Sequence, residues 1–198
     1  MKINIVGQDP SFRNWGLVAA SVDIFDFSIE IKDMFVSQES KESKQDRNRK
    51  KVRQANQDLD RARRLHKEVT EFIGDHNAKF SMIELPHGGE GLRSMKTNGM
   101  CVGIISSLQT AGHRTITISE RENKMHSLGK ASATKDEMIE WAMNRYPNAP
   151  WKMRNLKGQL VGVKAFNEHV ADAVSALEAG IYHDDFVNAV EVARQLTA

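Results

Sequence analysis

The 198-residue sequence has little cysteine and no long apolar run. Its single thiol, Cys101, excludes an internal disulfide and a zinc site built from several cysteines, and it favours a reducing compartment such as the cytoplasm. The N-terminal apolar stretch is too short for a secretory signal, and no run approaches the length of a membrane span. The sequence also lacks internal repeats, so we expect one ordinary globular domain and no membrane partner.

Acidic residues are scarce in two segments of a chain whose net charge is only +2. Residues 41–67 hold 11 basic and 4 acidic residues, and residues 152–164 hold 4 basic residues and no acid. Such segregation favours a polyanionic partner, although solvated charged faces would give the same pattern. The candidate contacts to a polyanion are Arg61, Arg63 and Arg64 in the first segment and Lys152, Arg154 and Lys157 in the second.

Hydrophobic periodicity predicts an antiparallel meander in the first third of the chain. One strand ends at Asp9, a second covers 16–22, and a third covers 25–31, where Phe25 and Phe27 begin an apolar–polar alternation. The polar residues 37–45 are expected to form a mobile loop. A helix with an apolar stripe from Val52 to Phe72 follows, and then a strand over 80–85, a helix over 100–108 and a strand over 115–119.

The remaining residues predict helices joined by basic loops. Thr134 and Glu137 form a capping box, so a helix begins there and ends before Pro147, and the loop before it contains Lys124. Residues 151–164 are expected to be a loop, and Asn167 is the expected cap of a helix that runs to residue 179. We expect residues 1–180 to form the domain, with residues 181–198 as a helical extension packed on it.

This order of elements predicts an α/β fold. Three meandering strands followed by strand–helix–strand crossovers give a five-stranded mixed sheet, three antiparallel strands and then two parallel ones, flanked by helices. The first strand would lie centrally, beside the strand that carries Glu84. Asp9 and Glu84 would then lie at the same edge of neighbouring parallel strands, although Asp9-Pro10-Ser11 is also typical of a simple turn.

A second group of polar residues follows one line of the helix after residue 164. Glu168, His169 and Asp172 are three or four residues apart, although acidic residues are also common in the first turn of an ordinary amphipathic helix. Asp9, Glu84 and Asp172 together would form a hard oxygen-ligand site for Mg²⁺ or Mn²⁺, with His169 as a further candidate ligand. Two such ions about 4 Å apart would suit phosphodiester cleavage.

Four motifs in this order resemble those of the RuvC-type Holliday-junction resolvases. They are Gly7-Gln8-Asp9-Pro10-Ser11 with Gly16, Ile83-Glu84 before a glycine-rich loop, Ala133-Thr134-Lys135, and His169-Val170-Ala171-Asp172-Ala173. The resemblance covers roughly residues 2–179, and it suits a phage or other mobile element as well as a cell. It implies a ribonuclease-H-like fold, a homodimer, magnesium-dependent paired nicking of four-way DNA junctions, and metal binding by Asp9, Glu84, His169 and Asp172.

Two positions depart from the pattern of that family, and two lysines need separate weighing. Ser11 replaces a common glycine, and His87 occupies the position of an aromatic wedge, which leaves junction selectivity open.

Lys135, with Lys124 as a weaker candidate, is expected to contact phosphate rather than only solvent. A ribonuclease-H-fold nuclease acting on flaps, forks or RNA–DNA hybrids remains an alternative, as does a branched-DNA-binding protein that does not cleave.

Overall fold

The computed structural model describes residues 1–38, 54–86, 88 and 91–196. Its elements in chain order are β1 (Lys2–Asp9), β2 (Asn14–Asp23), β3 (Ile29–Gln38), α1 (Gln54–Asp75), β4 (Phe80–Glu84), α2 (Leu92–Thr110), β5 (Arg114–Ile118), α3 (Glu120–Leu128), α4 (Lys135–Arg145), β6 (Met153–Leu156), β7 (Gln159–Gly162), α5 (Lys164–Gly180) and α6 (Asp184–Gln195). No helix among these residues is long and apolar enough to cross a membrane.

Five strands form one mixed sheet in the order β3-β2-β1-β4-β5. The pairs β1–β2 and β2–β3 are antiparallel, whereas β4 runs parallel to both β1 and β5. The predicted fold class is therefore confirmed. Because Gln8 pairs with Ile83, the last residues of β1 and β4, Asp9 and Glu84, lie at the same edge of the sheet.

Each face of the sheet has its own apolar core. On one face, Ile5, Val18 and Met82 pack with residues of α5, α6 and α4, including Val174, Leu177, Phe186 and Ala142. On the other face, Val6, Leu17 and Ile83 pack with residues of α1 and α2, including Leu65, Val69, Cys101 and Ile105. Complete burial of such a side chain contributes about 1.5–3 kcal/mol, so these two cores hold the helices against the sheet.

Two glycines bring α5 unusually close to the sheet. A Cβ atom at Gly7 would lie 2.1 Å from the carbonyl oxygen of Ala173, and one at Gly16 would lie 2.4 Å from that of His169. Both distances are far below van der Waals contact, so only glycine fits here without displacing the α5 backbone. The close approach sets α5, and therefore His169 and Asp172, directly against the ends of β1 and β2.

The predicted third strand is wrong in position. The strand spans Ile29–Gln38, whereas Phe25 and Phe27 belong to the turn before it. Two aspartates close that turn, because Asp23 Oδ1 accepts from the Phe25 amide at 2.9 Å and Asp26 Oδ1 accepts from the Ser28 amide at 2.8 Å. Aspartate turns of this kind compete with strand pairing. Of the loop predicted over 37–45, residues 37 and 38 lie in β3 and residues 39–45 are outside the described ranges.

The segment predicted as a loop before α4 contains a helix, α3. Ser119 and Glu122 form a second capping box, in which the Glu122 amide donates to Ser119 Oγ and the Ser119 amide donates to the Glu122 carboxylate. The Thr134–Glu137 capping box is confirmed at the start of α4. Lys124 therefore lies on a helix rather than in a loop. In a separate difference, α2 begins at Leu92, whereas the sequence predicted a helix from residue 100.

The basic segment 151–164 is a hairpin rather than a loop. Strands β6 and β7 pair with each other in a separate two-stranded sheet and are joined by Lys157 and Gly158, both with positive φ. The predicted cap Asn167 is also wrong, because α5 begins at Lys164. The Asn167 side chain is instead buried and hydrogen-bonds the backbone of Lys152.

Candidate active site

The contact between β1 and α5 brings Asp9 and His169 together. His169 Nδ1 lies 2.8 Å from Asp9 Oδ2, and His169 is only 8% exposed. The second ring nitrogen, Nε2, has no hydrogen-bond partner within the described residues, and Glu168 Oε1 lies 3.5 Å from it. Because Asp9 fixes the ring, Nε2 is a buried nitrogen left available for a ligand.

Glu84 and Asp172 complete the group of acidic residues. Burial, followed by the charge of Asp9, raises the pKa of Glu84 to about 7. Burial also raises the pKa of Asp172 well above its usual range, with further contributions from the charges of Asp9 and Glu84. The charge of Asp9 therefore disfavours ionisation of both Glu84 and Asp172 when no cation is bound. The sequence predicted that Asp9, Glu84 and Asp172 lie close together, and the structure also brings them close enough to interact electrostatically.

Asn123 on α3 is a residue of this site that sequence reasoning missed. It is 1% exposed, its Nδ2 donates to Glu84 Oε2, and its backbone carbonyl accepts from Ser175 Oγ at 3.2 Å. Its Oδ1 atom has no partner among the described residues. The Ser119–Glu122 capping box was the signal in the sequence that could have placed Asn123 on a helix beside β4.

A small cavity of about 90 Å³ lies beside the carboxylates. Its walls come from β4, α3, α4 and α5, and it is lined by Glu84, Glu120, Asn123, Lys124, Lys135, Met138 and Asp172. Lys124 forms an ion pair with Glu120, and Lys135 Nζ lies 3.5 Å from Glu168 Oε2. The structure therefore brings both predicted lysines to the carboxylate site.

The donor set suits a hard divalent cation. Within the described ranges, no three His, Cys, Asp or Glu side chains form a ready-made metal cluster. Burial and neighbouring negative charges nevertheless raise the pKa values of Glu84 and Asp172, and His169 Nε2 lacks a hydrogen-bond partner among the described residues. A divalent cation would relieve both conditions, so the residues present fit Mg²⁺ or Mn²⁺.

The basic residues predicted to bind DNA lie on two separate elements. On α1, Arg63 lies 3.8 Å from Asp60, Arg64 lies 3.7 Å from Glu68, and the Arg61 guanidinium lies 5.3 Å from the ring centre of Phe12, in the loop after Asp9. Lys152, Arg154 and Lys157 belong to the exposed hairpin segment. DNA binding by these six residues stays a prediction. His87, the predicted wedge, lies outside the described residues.

Comparison with known proteins extends the fold assignment. No protein-family model and no curated protein sequence matches the chain. The structure is similar to that of T. thermophilus RuvC in complex with a Holliday junction substrate, with a TM-score of 0.62, 16% identity, and coverage of 94% of this chain and 96% of that one. The chain has the fold of the RuvC-type resolvases.

Two further solved structures share this RuvC-type fold. The yeast mitochondrial Holliday junction resolvase Ydc2 is 12% identical, with a TM-score of 0.60 and coverage of 97% of this chain and 82% of that one. The fowlpox virus resolvase, solved with Holliday junction DNA, is 10% identical, with a TM-score of 0.52 and coverage of 96% and 99%. The similarity extends over nearly the whole chain and confirms the predicted ribonuclease-H-like architecture.

Proposed function

We propose that this protein is a metal-dependent endonuclease that cleaves phosphodiester bonds in four-way DNA junctions. The observation that supports this proposal best is the meeting of Asp9, Glu84, His169 and Asp172 at one sheet edge of a RuvC-type fold. Three structural neighbours are Holliday junction resolvases or resolvases bound to such a junction. The carboxylates are a physical reason to expect chemistry, since acidic side chains weaken binding to a phosphate backbone.

Asp9, Glu84 and Asp172, with His169, would hold Mg²⁺ or Mn²⁺, as two ions in the simplest arrangement. Metal ions held by these residues would supply activation of water and stabilisation of the leaving oxygen in phosphodiester hydrolysis. Hydrogen bonds within the protein orient two of these candidate ligands. The Asp9–His169 hydrogen bond fixes the imidazole, and the amide of Asn123 fixes the carboxylate of Glu84. Supporting contacts of this kind commonly change metal affinity or activity by about 10–100-fold.

Lys124 and Lys135 would help to hold the reacting phosphate. Both line the cavity beside Glu84 and Asp172, where an ammonium group offsets the negative charge of a DNA strand. Each is also close to a glutamate, so the two lysines remain oriented before DNA binds. Arg61, Arg63 and Arg64 on α1 would contact the phosphate backbone of the duplex arms.

A homodimer would supply the two active sites that paired nicks require. A two-fold assembly matches the two-fold symmetry of a four-way junction, so each protomer would cut one strand. Light scattering of the free protein and of the protein–junction complex tests this part of the proposal. We expect two protomers per junction, and one protomer per junction would contradict it.

The same site could also act on flaps, forks or RNA–DNA hybrids, and a substrate panel decides between these functions. We would compare a four-way junction, a fork, a linear duplex and an RNA–DNA hybrid with magnesium and with a chelator, using Glu84→Gln as the inactive control. The proposal predicts magnesium-dependent nicking of the junction above all other substrates, absent in the variant. Preferential cutting of the fork or hybrid would support the alternative, and binding without cutting would indicate a non-cleaving protein.

A further inference from the structure

The β6–β7 hairpin stands apart from the main sheet. Its eight strand residues pair only with each other, and all but Val161 and Gly162 are exposed. The connecting turn, Lys157-Gly158, has φ values of 52° and 86° and is closed by a 2.9 Å hydrogen bond from the Gly158 amide to Asn155 Oδ1. These are the features of a two-residue turn that matches strand twist and keeps a short hairpin well ordered.

The base of the hairpin is fixed to the helix that carries His169 and Asp172. Asn167, which is fully buried, bonds both the amide and the carbonyl of Lys152 at 3.2 Å. The Trp151 indole is also buried and donates to the Tyr146 carbonyl at 2.8 Å. An isolated two-stranded hairpin is marginally stable in water, so these anchors are what hold it in a fixed direction relative to the active site.

The hairpin is positively charged along its length. No acidic residue occurs from 151 to 167, whereas Lys152, Arg154, Lys157 and Lys164 are basic. Lys164 pairs with Asp136 at 2.6 Å, and Lys152 Nζ lies 5.0 Å from the ring centre of Phe166. Within the described ranges, Arg154 and Lys157 have no ion-pair partner. A basic hairpin whose base is bonded to the helix that carries His169 and Asp172 is complementary in charge to a DNA backbone.

The hairpin also exposes large apolar side chains between its basic residues. Leu156, immediately before the turn, is 50% exposed, and Leu160, two residues after it, is 72% exposed. Leu160 pairs with Asn155 and Leu156 pairs with Gln159, so the two leucines lie on opposite faces of the hairpin. Contacts to phosphate alone would not need leucine at these positions. Bases that have lost a stacking neighbour present apolar faces, and such bases occur where a duplex ends or branches. A branch point in DNA offers both phosphates for the basic residues and unstacked bases for Leu156 and Leu160.

We propose that the β6–β7 hairpin engages the branch point of the DNA substrate, with Arg154 and Lys157 on backbone phosphates and Leu156 and Leu160 against unstacked bases. This inference rests on the proposed function, because it assumes a branched DNA substrate. It assigns junction preference to an element separate from the loop after Glu84. Specificity for branched over linear DNA therefore depends on the leucines, and overall affinity depends on the basic residues.

The test compares binding of a four-way junction and a linear duplex of the same sequence to the whole 198-residue chain in chelator, where no cleavage occurs. Fluorescence anisotropy gives both affinities, and 2-aminopurine beside the branch reports unstacking. The variants are Leu156→Ser/Leu160→Ser and Arg154→Gln/Lys157→Gln. Val192→Ser on α6 and Lys79→Gln before β4 are matched controls, and thermal unfolding verifies that each variant is folded.

The leucine variant should bind the junction roughly tenfold more weakly, as expected when two partial leucine contacts are lost, with duplex affinity unchanged. It should also lose the 2-aminopurine signal. The arginine–lysine variant should weaken binding to both DNAs and lower the salt slope by about 0.9 for each lost phosphate contact. The control variants should bind both DNAs like the parent.

Three results would overturn the role of the hairpin, and a fourth would overturn the proposed function on which that role rests. A leucine variant that keeps the parent's junction preference and 2-aminopurine signal contradicts the hairpin's role, as does an unchanged salt slope in the arginine–lysine variant. Loss of self-association in the leucine variant, with DNA binding intact, would make the tip a protein contact. If the parent itself does not prefer the junction over the duplex, the proposed function fails.

Discussion

A methyl group at position 16 should separate α5 from the sheet and break the contact between Asp9 and His169. In Gly16→Ala, the new Cβ would lie 2.4 Å from the His169 carbonyl oxygen, 2.7 Å from its carbonyl carbon and 2.9 Å from its Cβ. Two of these three atoms are backbone, so no side-chain rotation relieves the clash. The helix α5 must instead move by about 1 Å to restore ordinary van der Waals contact.

This displacement has consequences for stability and for the site. Overpacking a tight core typically costs about 1–3 kcal/mol, and a clash with backbone atoms belongs at the upper end of that range. For a chain of this size, about 3 kcal/mol lowers the midpoint of thermal unfolding by roughly 6–12 °C. The 2.8 Å Asp9–His169 hydrogen bond would lengthen beyond bonding distance. A misplacement of about 1 Å can reduce catalytic rate by about 100-fold.

Scanning calorimetry would measure the unfolding midpoint, and single-turnover junction cleavage at a temperature below that midpoint would measure the cleavage rate. The matched control is Gly74→Ala at the end of α1, where an added Cβ meets no atom within 4 Å. We expect the control to be as stable as the parent or slightly more stable. A Gly16→Ala variant with the parent's midpoint and cleavage rate would refute the close packing of α5 on β2.

Further predictions concern the carboxylates, their supporting amide and the basic helix. Glu84→Gln should abolish cleavage and keep junction affinity, measured by gel shift, and cleavage by this variant would remove Glu84 from the site. In chelator, the free energy of unfolding should fall by up to about 3 kcal/mol as pH rises from 4.5 to about 7, because folded Glu84 holds its proton more tightly than the unfolded chain, and magnesium should abolish this trend in calorimetry. Asn123→Ala should raise the magnesium concentration for half-maximal cleavage by about 10–100-fold, and an unchanged requirement would show that the amide does not orient Glu84. Charge reversal at Arg61, Arg63 and Arg64 should lower the salt slope of duplex binding by about 0.9 for each phosphate contact, whereas an unchanged slope would leave α1 out of the interface.

The sequence predicted the sheet and the carboxylate site because both depend on local patterns. Apolar runs that end in Asp9 and Glu84 gave the strand ends, and the crossover rules placed those ends side by side. The line of His169 and Asp172 along one helix face followed from helical periodicity. The position of each of these residues could therefore be predicted from the residues around it in the sequence.

The elements that sequence reasoning missed are held by contacts that periodicity does not show. Residues 120–128 are too polar to present an apolar stripe, so only the Ser119–Glu122 capping box indicated the helix α3. The β6–β7 hairpin buries almost nothing and depends on Asn167 and Trp151 at its base. The start of β3 was misplaced because Asp23 and Asp26 form side-chain turns that override the alternation of Phe25 and Phe27.

The most direct test of this account is whether the carboxylate site binds divalent cations. Isothermal titration of Mn²⁺ into the DNA-free protein should show saturable binding at millimolar or lower concentrations. Asp172→Asn and Glu84→Gln should each weaken that binding strongly, whereas Glu191→Gln, an exposed carboxylate on α6, should not. Absence of binding in the parent, or equal binding in all three variants, would contradict a metal-dependent nuclease site at Asp9, Glu84, His169 and Asp172.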